Sequence, residues 1–131
     1  MIIDTSAIVA ILRAEEDAPR FARAIALRSE PRRLSAVNFV EVAVVIDGAR
    51  DPIASRRLDD LIAKAAIAIE PVTAEQAQTA RAAYRDFGKG SGHRAGLNFG
   101  DCFAYALAKA TGERLLFKGD DFSHTDVEPH D

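Results

Sequence analysis

The chain opens Met1-Ile2-Ile3-Asp4-Thr5-Ser6, an apolar run that stops abruptly at an acid and two hydroxyls, and a helical pattern follows from Ala7 to Leu12. A strand so short and so apolar reads as one buried on both faces, as in a parallel sheet between helical layers. It would deliver Asp4 to the carboxyl end of the strand, the rim at which open α/β sheets bind their ligands. That start limits what can follow, because parallel strands must be joined by crossovers.

The next segments supply them. Glu15-Glu16-Asp17 with Pro19 read as a helix start, with acids near the positive end of the dipole. Ala18, Phe21, Ala22 and Ile25 then recur at helical spacing with the arginines opposite, and Pro31 is expected to close the helix. Leu34 to Val37 reads as a second strand. Asn38 to Ile46 is rich in β-branched residues and its periodicity decides nothing. It is assigned to a helix ended by Gly48, since two adjacent strands would leave no crossover. Asp51-Pro52 is an N-cap followed by proline at the first helical position, and Ala54, Leu58, Leu61, Ile62 and Ala65 form the buried face.

Ala68 to Val72 reads as a third strand or edge segment, because Pro71 cannot donate to a ladder. Thr73 with Gln76 suggests a capping box, opening a helix with Ala77, Ala80, Tyr84 and Phe87 inward and Gly88 as its stop. Gly88 to Gly100 holds five glycines with Lys89, His93, Arg94 and Asn98 among them, the composition of a functional loop. Gly100-Asp101 then begins an almost wholly apolar helix that Gly112 ends. Leu115-Leu116-Phe117 is a buried strand, Lys118 to Asp121 a polar turn, and Val127 the head of a last short strand. Strands alternating with helices give an α/β fold: a three-layer α/β/α sandwich on a mostly parallel sheet of four to five strands, one domain over residues 1–131.

At 131 residues the chain can bury a core without staples. Its single cysteine, Cys102, excludes a disulfide framework and fits a reducing compartment. No signal segment and no bilayer-length apolar run is present, so a cytoplasmic protein without a membrane partner is expected. A net charge of −3 argues against binding nucleic acid by summed charge alone. The arginines nevertheless cluster, at Arg20, Arg23, Arg28, Arg32 and Arg33, as do Lys89, His93 and Arg94 in the glycine-rich loop. Solvated helix faces and a soluble loop explain both clusters equally well.

The acids carry the chemistry. Asp4 could merely cap the helix behind it. Glu41 lies among Val, Phe, Ala and Ile, where a carboxylate is costly unless a donor or cation compensates it, and Asn38 precedes it by one turn. Asp101 opens the most apolar helix, with Tyr105 one turn on. Asp120 and Asp121 end the turn after the Leu115 strand, where a plain polar turn would also place them. If the strands at Met1 and Leu115 are parallel neighbours, Asp4, Glu41, Asp101 and Asp120 or Asp121 meet at one rim. Carboxylates crowded together repel one another. A hard divalent cation, Mg²⁺ or Mn²⁺, resolves that, and one could activate water against a phosphodiester. One cysteine and three scattered histidines match no zinc spacing.

The Ile-Ile-Asp-Thr-Ser opening, the Asn-Phe-Val-Glu segment, the block from Leu97 to Ala106 and Leu115 to Phe122 together resemble PIN-domain ribonucleases, and more closely the VapC toxins of type II toxin–antitoxin systems. The likeness spans essentially the whole chain, and its most specific parts are Gly-Leu-Asn-Phe-Gly-Asp-Cys and Lys-Gly-Asp-Asp-Phe. It implies a Mg²⁺- or Mn²⁺-dependent endoribonuclease that cuts structured RNA, tRNA or ribosomal RNA, and halts translation. It implies also a homodimer, and a VapB-type antitoxin whose C-terminal segment fills the cleft. The family's catalytic acids fall on Asp4, Glu41, Asp101 and the Asp120-Asp121 pair, Asp121 being preferred, with Asp4 and Asp101 as metal ligands. Thr5 or Ser6 matches the hydroxyl beside the first acid, and Lys89, His93 and Arg94 fit RNA contact beside the cleft.

Other classes fit less well. A dehalogenase-like phosphatase wants a second aspartate two residues after the first, where Ser6 stands. A receiver domain wants an aspartate ending a central strand, but the third strand ends in Glu70-Pro71. A catalytically silent module on the same fold would lack at least one acid, and none is missing.

Overall fold

The computed structural model describes residues 1–27 and 29–130, so Arg28 of the arginine cluster lies outside the described residues. Its strands are β1 (Ile2–Ile3), β2 (Arg32–Ser35), β3 (Ile67–Glu70) and β4 (Leu115–Leu116), all paired in parallel in the order β3-β2-β1-β4. Between them run α1 (Thr5–Leu12), α2 (Ala18–Ala26), α3 (Ala36–Asp47), α4 (Pro52–Lys64), α5 (Ala74–Phe87) and α6 (Phe99–Thr111). A short 3-10 helix (Asp121–His124) follows β4.

Alternation along the strands divides the core into two layers. Ile2 and Ile3 lie opposite Leu115 and Leu116, and all four are fully buried. Ile3 and Leu116 face α1–α4, where Ile8, Phe21, Val42 and Leu58 complete the packing. Ile2 and Leu115 face the other way, onto Ala80 and Ala83 of α5 and Ala104 and Leu107 of α6. Each such side chain taken out of water contributes about 1.5–3 kcal/mol. Two-residue strands suffice because both their faces are covered.

The order steps from β1 to β2 to β3 in one direction, then to β4 in the other. The reversal therefore lies between β1 and β4, the position at whose carboxyl rim open α/β sheets bind their ligands. Asp4 marks it, its backbone N–H donating to the Leu116 carbonyl at 2.9 Å. The opposite rim gathers ion pairs. The Met1 ammonium donates to Glu113 Oε1 at 2.5 Å and to the Pro31 carbonyl at 2.8 Å. Arg33 pairs with Glu113 there at 2.8 Å and also reaches Glu70, at the far end of β3, at 2.9 Å, and His130 Nε2 lies 2.8 Å from Glu30.

Several boundaries differ from the sequence reading. The second strand runs from Arg32 to Ser35 rather than from Leu34 to Val37. Its charges disguise it: Arg32 is buried and donates from Nε to the Ala65 carbonyl, and Arg33 is held by two acids. The preceding helix stops at Ala26, ahead of Pro31. Ala77 and Tyr84 are exposed, and α5 packs through Ala80 and Ala83 instead. Thr73 caps α5 by accepting from the Gln76 N–H at 3.0 Å, without the reciprocal half of a capping box. The fourth strand ends at Leu116 rather than Phe117, and the segment after Val127 contributes only a single parallel bridge between Leu115 and Pro129. No helix among the described residues is long and apolar enough to cross a membrane.

Candidate active site

Asp4 is the N-cap of α1 and almost fully buried. Its Oδ2 accepts from the Ser6 N–H at 3.0 Å and from the Ser6 hydroxyl at 2.6 Å. Its Oδ1 is buried with no protein donor among the described residues. Capping and the site are therefore one arrangement: one oxygen serves the helix and the other is left over. Burial pushes the Asp4 carboxyl up and the Glu41 charge adds to this, against the hydrogen bonds from Ser6. Ser6 also accepts from the Lys118 N–H at 2.9 Å, which pins the chain leaving β4 to the first acid.

Glu41 reaches the same rim from α3. Its Oε1 accepts from the Thr5 hydroxyl at 2.5 Å and from Asn38 Nδ2 at 3.1 Å. The two hydroxyls beside the first acid thus divide their labour, Thr5 serving Glu41 and Ser6 serving Asp4.

Asp101 stands in the first turn of α6, at the third position, not at the cap. Asn98 is the cap: its side chain accepts from the Asp101 N–H at 2.9 Å, and Asp101 Oδ2 accepts from the Asn98 N–H at 3.0 Å. The Asn-x-x-Asp spacing of a capping box was the available signal for this start. Only 9% exposed, the Asp101 carboxyl is pushed up to about 7. Burial is the largest cause, and the charges of Asp4, Asp121 and Glu41 add to it against the Asn98 N–H.

Asp120 and Asp121 are exposed at the mouth, after β4. Of the pair, Asp121 is the one whose charge bears on Asp101. Among the described residues no three acids are drawn up closely enough to hold an ion between them as the side chains stand. What fits a hard cation is the donor set: carboxylate oxygens, those of Asp4 and Asp101 pushed up by burial and by neighbouring acids, with Asp4 Oδ1 left without a protein donor among the described residues.

The remaining candidates lie beside the rim. Lys89, His93 and Arg94 are exposed in the loop that enters α6, closed by a bridge between Gly88 and Leu97. Among the described residues no hydrogen bond or ion pair joins them to the acids. His93 is occupied locally: Nδ1 accepts from the Ala95 N–H at 3.0 Å and the ring sits edge-on to Phe87. Tyr105 does not share in the site; its hydroxyl donates to Asp126 at 2.6 Å. Cys102 is buried, its thiol pushed up to about 11 by burial and then by Asp101, so it is inert.

A four-stranded parallel sheet between helical layers, with acids from four segments on its carboxyl side, defines the class of fold, and residues 1–128 match the PIN domain. The chain is 59% identical over 128 residues to the ribonuclease VapC28 of Mycobacterium tuberculosis, covering 98% of this chain and 96% of that protein. The solved VapC20 of the same species, described as a sarcin-ricin loop cleaving toxin, superposes with a TM-score of 0.77 at 16% identity, over 96% of this chain and 95% of that one. A toxin–antitoxin complex from Klebsiella pneumoniae superposes at 0.67 with 19% identity, over 98% and 97%. The chain belongs to the PIN-domain family, among the VapC ribonucleases.

Proposed function

We propose that the protein is a Mg²⁺- or Mn²⁺-dependent endoribonuclease toxin of the cytoplasm that cuts structured RNA, tRNA or ribosomal RNA, and so halts translation. One observation carries the reading: Asp101 is nearly buried, lies within the fields of Asp4, Glu41 and Asp121, and is pushed up to about 7, with no ion pair to a basic side chain among the described residues. Such crowding weakens a fold and is kept where an ion is to be held. The relatives' ribonuclease activity supports the reaction class, and the cleavage named for VapC20 supports a ribosomal substrate beside tRNA.

Asp4 and Asp101 are the residues that would hold the ion. When bound, it would lower the pKa of a water and neutralise charge on the phosphodiester. Ser6 and Asn98 fix one oxygen of each aspartate, leaving the other for a ligand. Glu41, held at Oε1 by Thr5 and Asn38, can orient the attacking water and adds its negative charge to the field at Asp101 that would hold the ion. Asp121 is the fourth acid, with Asp120 exposed one residue before it.

A VapB-type antitoxin closes the cleft with its C-terminal segment; the toxin–antitoxin complex of like fold supports such a partner. A homodimer is supported by the exposed apolar side chains Val40 and Val44, one turn apart on α3, and Phe99 on α6.

The test is cleavage of total RNA by wild type, Asp4→Asn and Asp101→Asn, with Mg²⁺ or Mn²⁺ and then with chelator. Wild type should cut only with metal, and both variants should fall to background. Equal cleavage by all three proteins would reject the nuclease reading.

A further inference from the structure

Asn38 is fully buried on α3, one turn before Glu41, in a helix otherwise apolar on its inner face. Both its amide hydrogens are spent: Nδ2 donates to Glu41 Oε1 at 3.1 Å and to the Gly100 carbonyl at 3.0 Å. Its own Oδ1 has no protein donor among the described residues. A buried amide only half satisfied adds little to the stability of a fold, and an aliphatic side chain would suit α3 better. Stability alone therefore does not account for it.

The second part of the arrangement is Gly100. A Cβ there would overlap the carboxyl carbon and both oxygens of Glu41, so the bare Cα is the surface on which that carboxylate rests. Gly100 is helical and its φ is unremarkable, so backbone freedom is not what a glycine supplies at this position. It supplies room. The same Asn38 amide that orients Glu41 also ties α3 to the first turn of α6, one residue before Asp101.

We propose that Asn38 and Gly100 form a seat that positions Glu41 against Asp101, with Asn38 setting the spacing between these two acids. This rests on Glu41 acting in the site described above, and it assigns roles to two residues that never touch the substrate. Removing a hydrogen-bond partner behind a metal-site carboxylate typically costs 10–100-fold in metal affinity or activity. Gly100→Ala leaves every hydrogen bond partner in place and adds a good helix former, so it should displace the flexible Glu41 side chain at little cost to folding.

The experiment compares Asn38→Ala, Gly100→Ala, Glu41→Gln, and each of the first two combined with Glu41→Gln. Cleavage kinetics and Mn²⁺ affinity by titration calorimetry are measured on each, with melting temperature as a check on folding. Both seat variants should lose about tenfold or more in kcat with KM nearly unchanged, and bind Mn²⁺ about tenfold more weakly. Neither should lower kcat or Mn²⁺ affinity further once Glu41→Gln is present, because they act through that carboxylate. Losses that multiply in the double variants, or a folded Gly100→Ala with wild-type kcat and Mn²⁺ affinity, would overturn the seat. If Glu41→Gln itself cleaves like wild type, the fault lies with Glu41's place in the active site.

Discussion

At the amino end of the sheet Glu30 and Glu113 each have a cation on them; at the carboxyl end, among the described residues, none of Asp4, Glu41, Asp101 and Asp121 does. Glu113 receives the Met1 ammonium and Arg33, and Glu30 receives the Met1 ammonium and His130. Burial pushes both carboxyls up, but these partners more than reverse it and hold them below their usual range. Among the described residues no ion pair reaches Asp4, Glu41, Asp101 or Asp121, and at Asp4 and Asp101 burial and the neighbouring acids outweigh the hydrogen bonds that hold the carboxyls down. The nearest lysine in sequence, Lys118, is turned away onto Glu15 at 2.6 Å. The two rims share strands, but the acids at the amino end are partly exposed whereas Asp4 and Asp101 are buried. They differ most in whether the counter-charge belongs to the chain, and the proposed ion would supply it at the carboxyl rim.

The largest effect should be a pH dependence of stability in chelator. The Asp101 carboxyl is raised from 3.8 to about 7, so between those values the unfolded chain is ionised while the folded one keeps its proton. Stability therefore falls as pH rises through that window and levels off above about 7. At ~1.4 kcal/mol per unit the full drop is roughly 4 kcal/mol. The amino-rim acids, whose carboxyls are lowered from 4.5, act at and below the foot of this window and in the opposite sense. Urea melts from pH 4 to pH 8 should show the decline in wild type and lose most of it in Asp101→Asn. Asp4→Asn should raise the metal-free melting temperature for the same reason, whereas a lower one would reduce Asp4 to a helix cap. A flat wild-type curve would mean that this rim is neutralised from within.

The mirror experiment is at the other rim. Glu113→Gln removes the charge facing a fully buried ammonium and half the grip on Arg33, and should cost about 2 kcal/mol, less than a wholly buried pair because Glu113 is itself 22% exposed. The two substitutions are chemically alike, carboxyl to amide, and should change metal-free stability in opposite directions at neutral pH. If both destabilise, the rims are not electrostatic opposites.

The sequence announces the acid rim better than the paired one, for a physical reason. Asp4, Glu41 and Asp101 each interrupt an apolar run, and an acid in such a place stands out. Pairing hides the other end. Arg32 and Arg33 sit in a strand and look like surface residues until Ala65, Glu70 and Glu113, all distant in sequence, are seen to satisfy them. Short strands were legible from Ile2-Ile3 and Leu115-Leu116 because burial on both faces requires unbroken apolar residues. The inner face of α5 was not, since it packs through Ala80 and Ala83 and leaves the larger Tyr84 outside. Asn38 drew notice only as a neighbour of Glu41, and nothing local says that its amide meets a carbonyl 62 residues on. Gly100 reads as a loop glycine until the carboxylate above it is placed.

The smallest effect concerns where the proposed RNA substrate would meet positive charge beside the acid rim. Lys89 and Arg94 are the exposed cations of the loop that leads into α6, and therefore into Asp101. If they contact phosphates, replacing both with alanine should weaken RNA binding about equally for all sequences and reduce the slope of log K against log salt by about 2, one per lost contact. Stability should barely change, since both side chains are solvated and only the Lys89 backbone is tied, to Leu97 and Tyr84. Binding measured on a metal-site variant such as Asp101→Asn avoids turnover during the titration. A salt slope unchanged in the Lys89→Ala/Arg94→Ala protein would make the loop an ordinary solvated turn. The counter-charge at the acid rim would then come from the bound ion alone, and the contrast between the two rims would be sharper still.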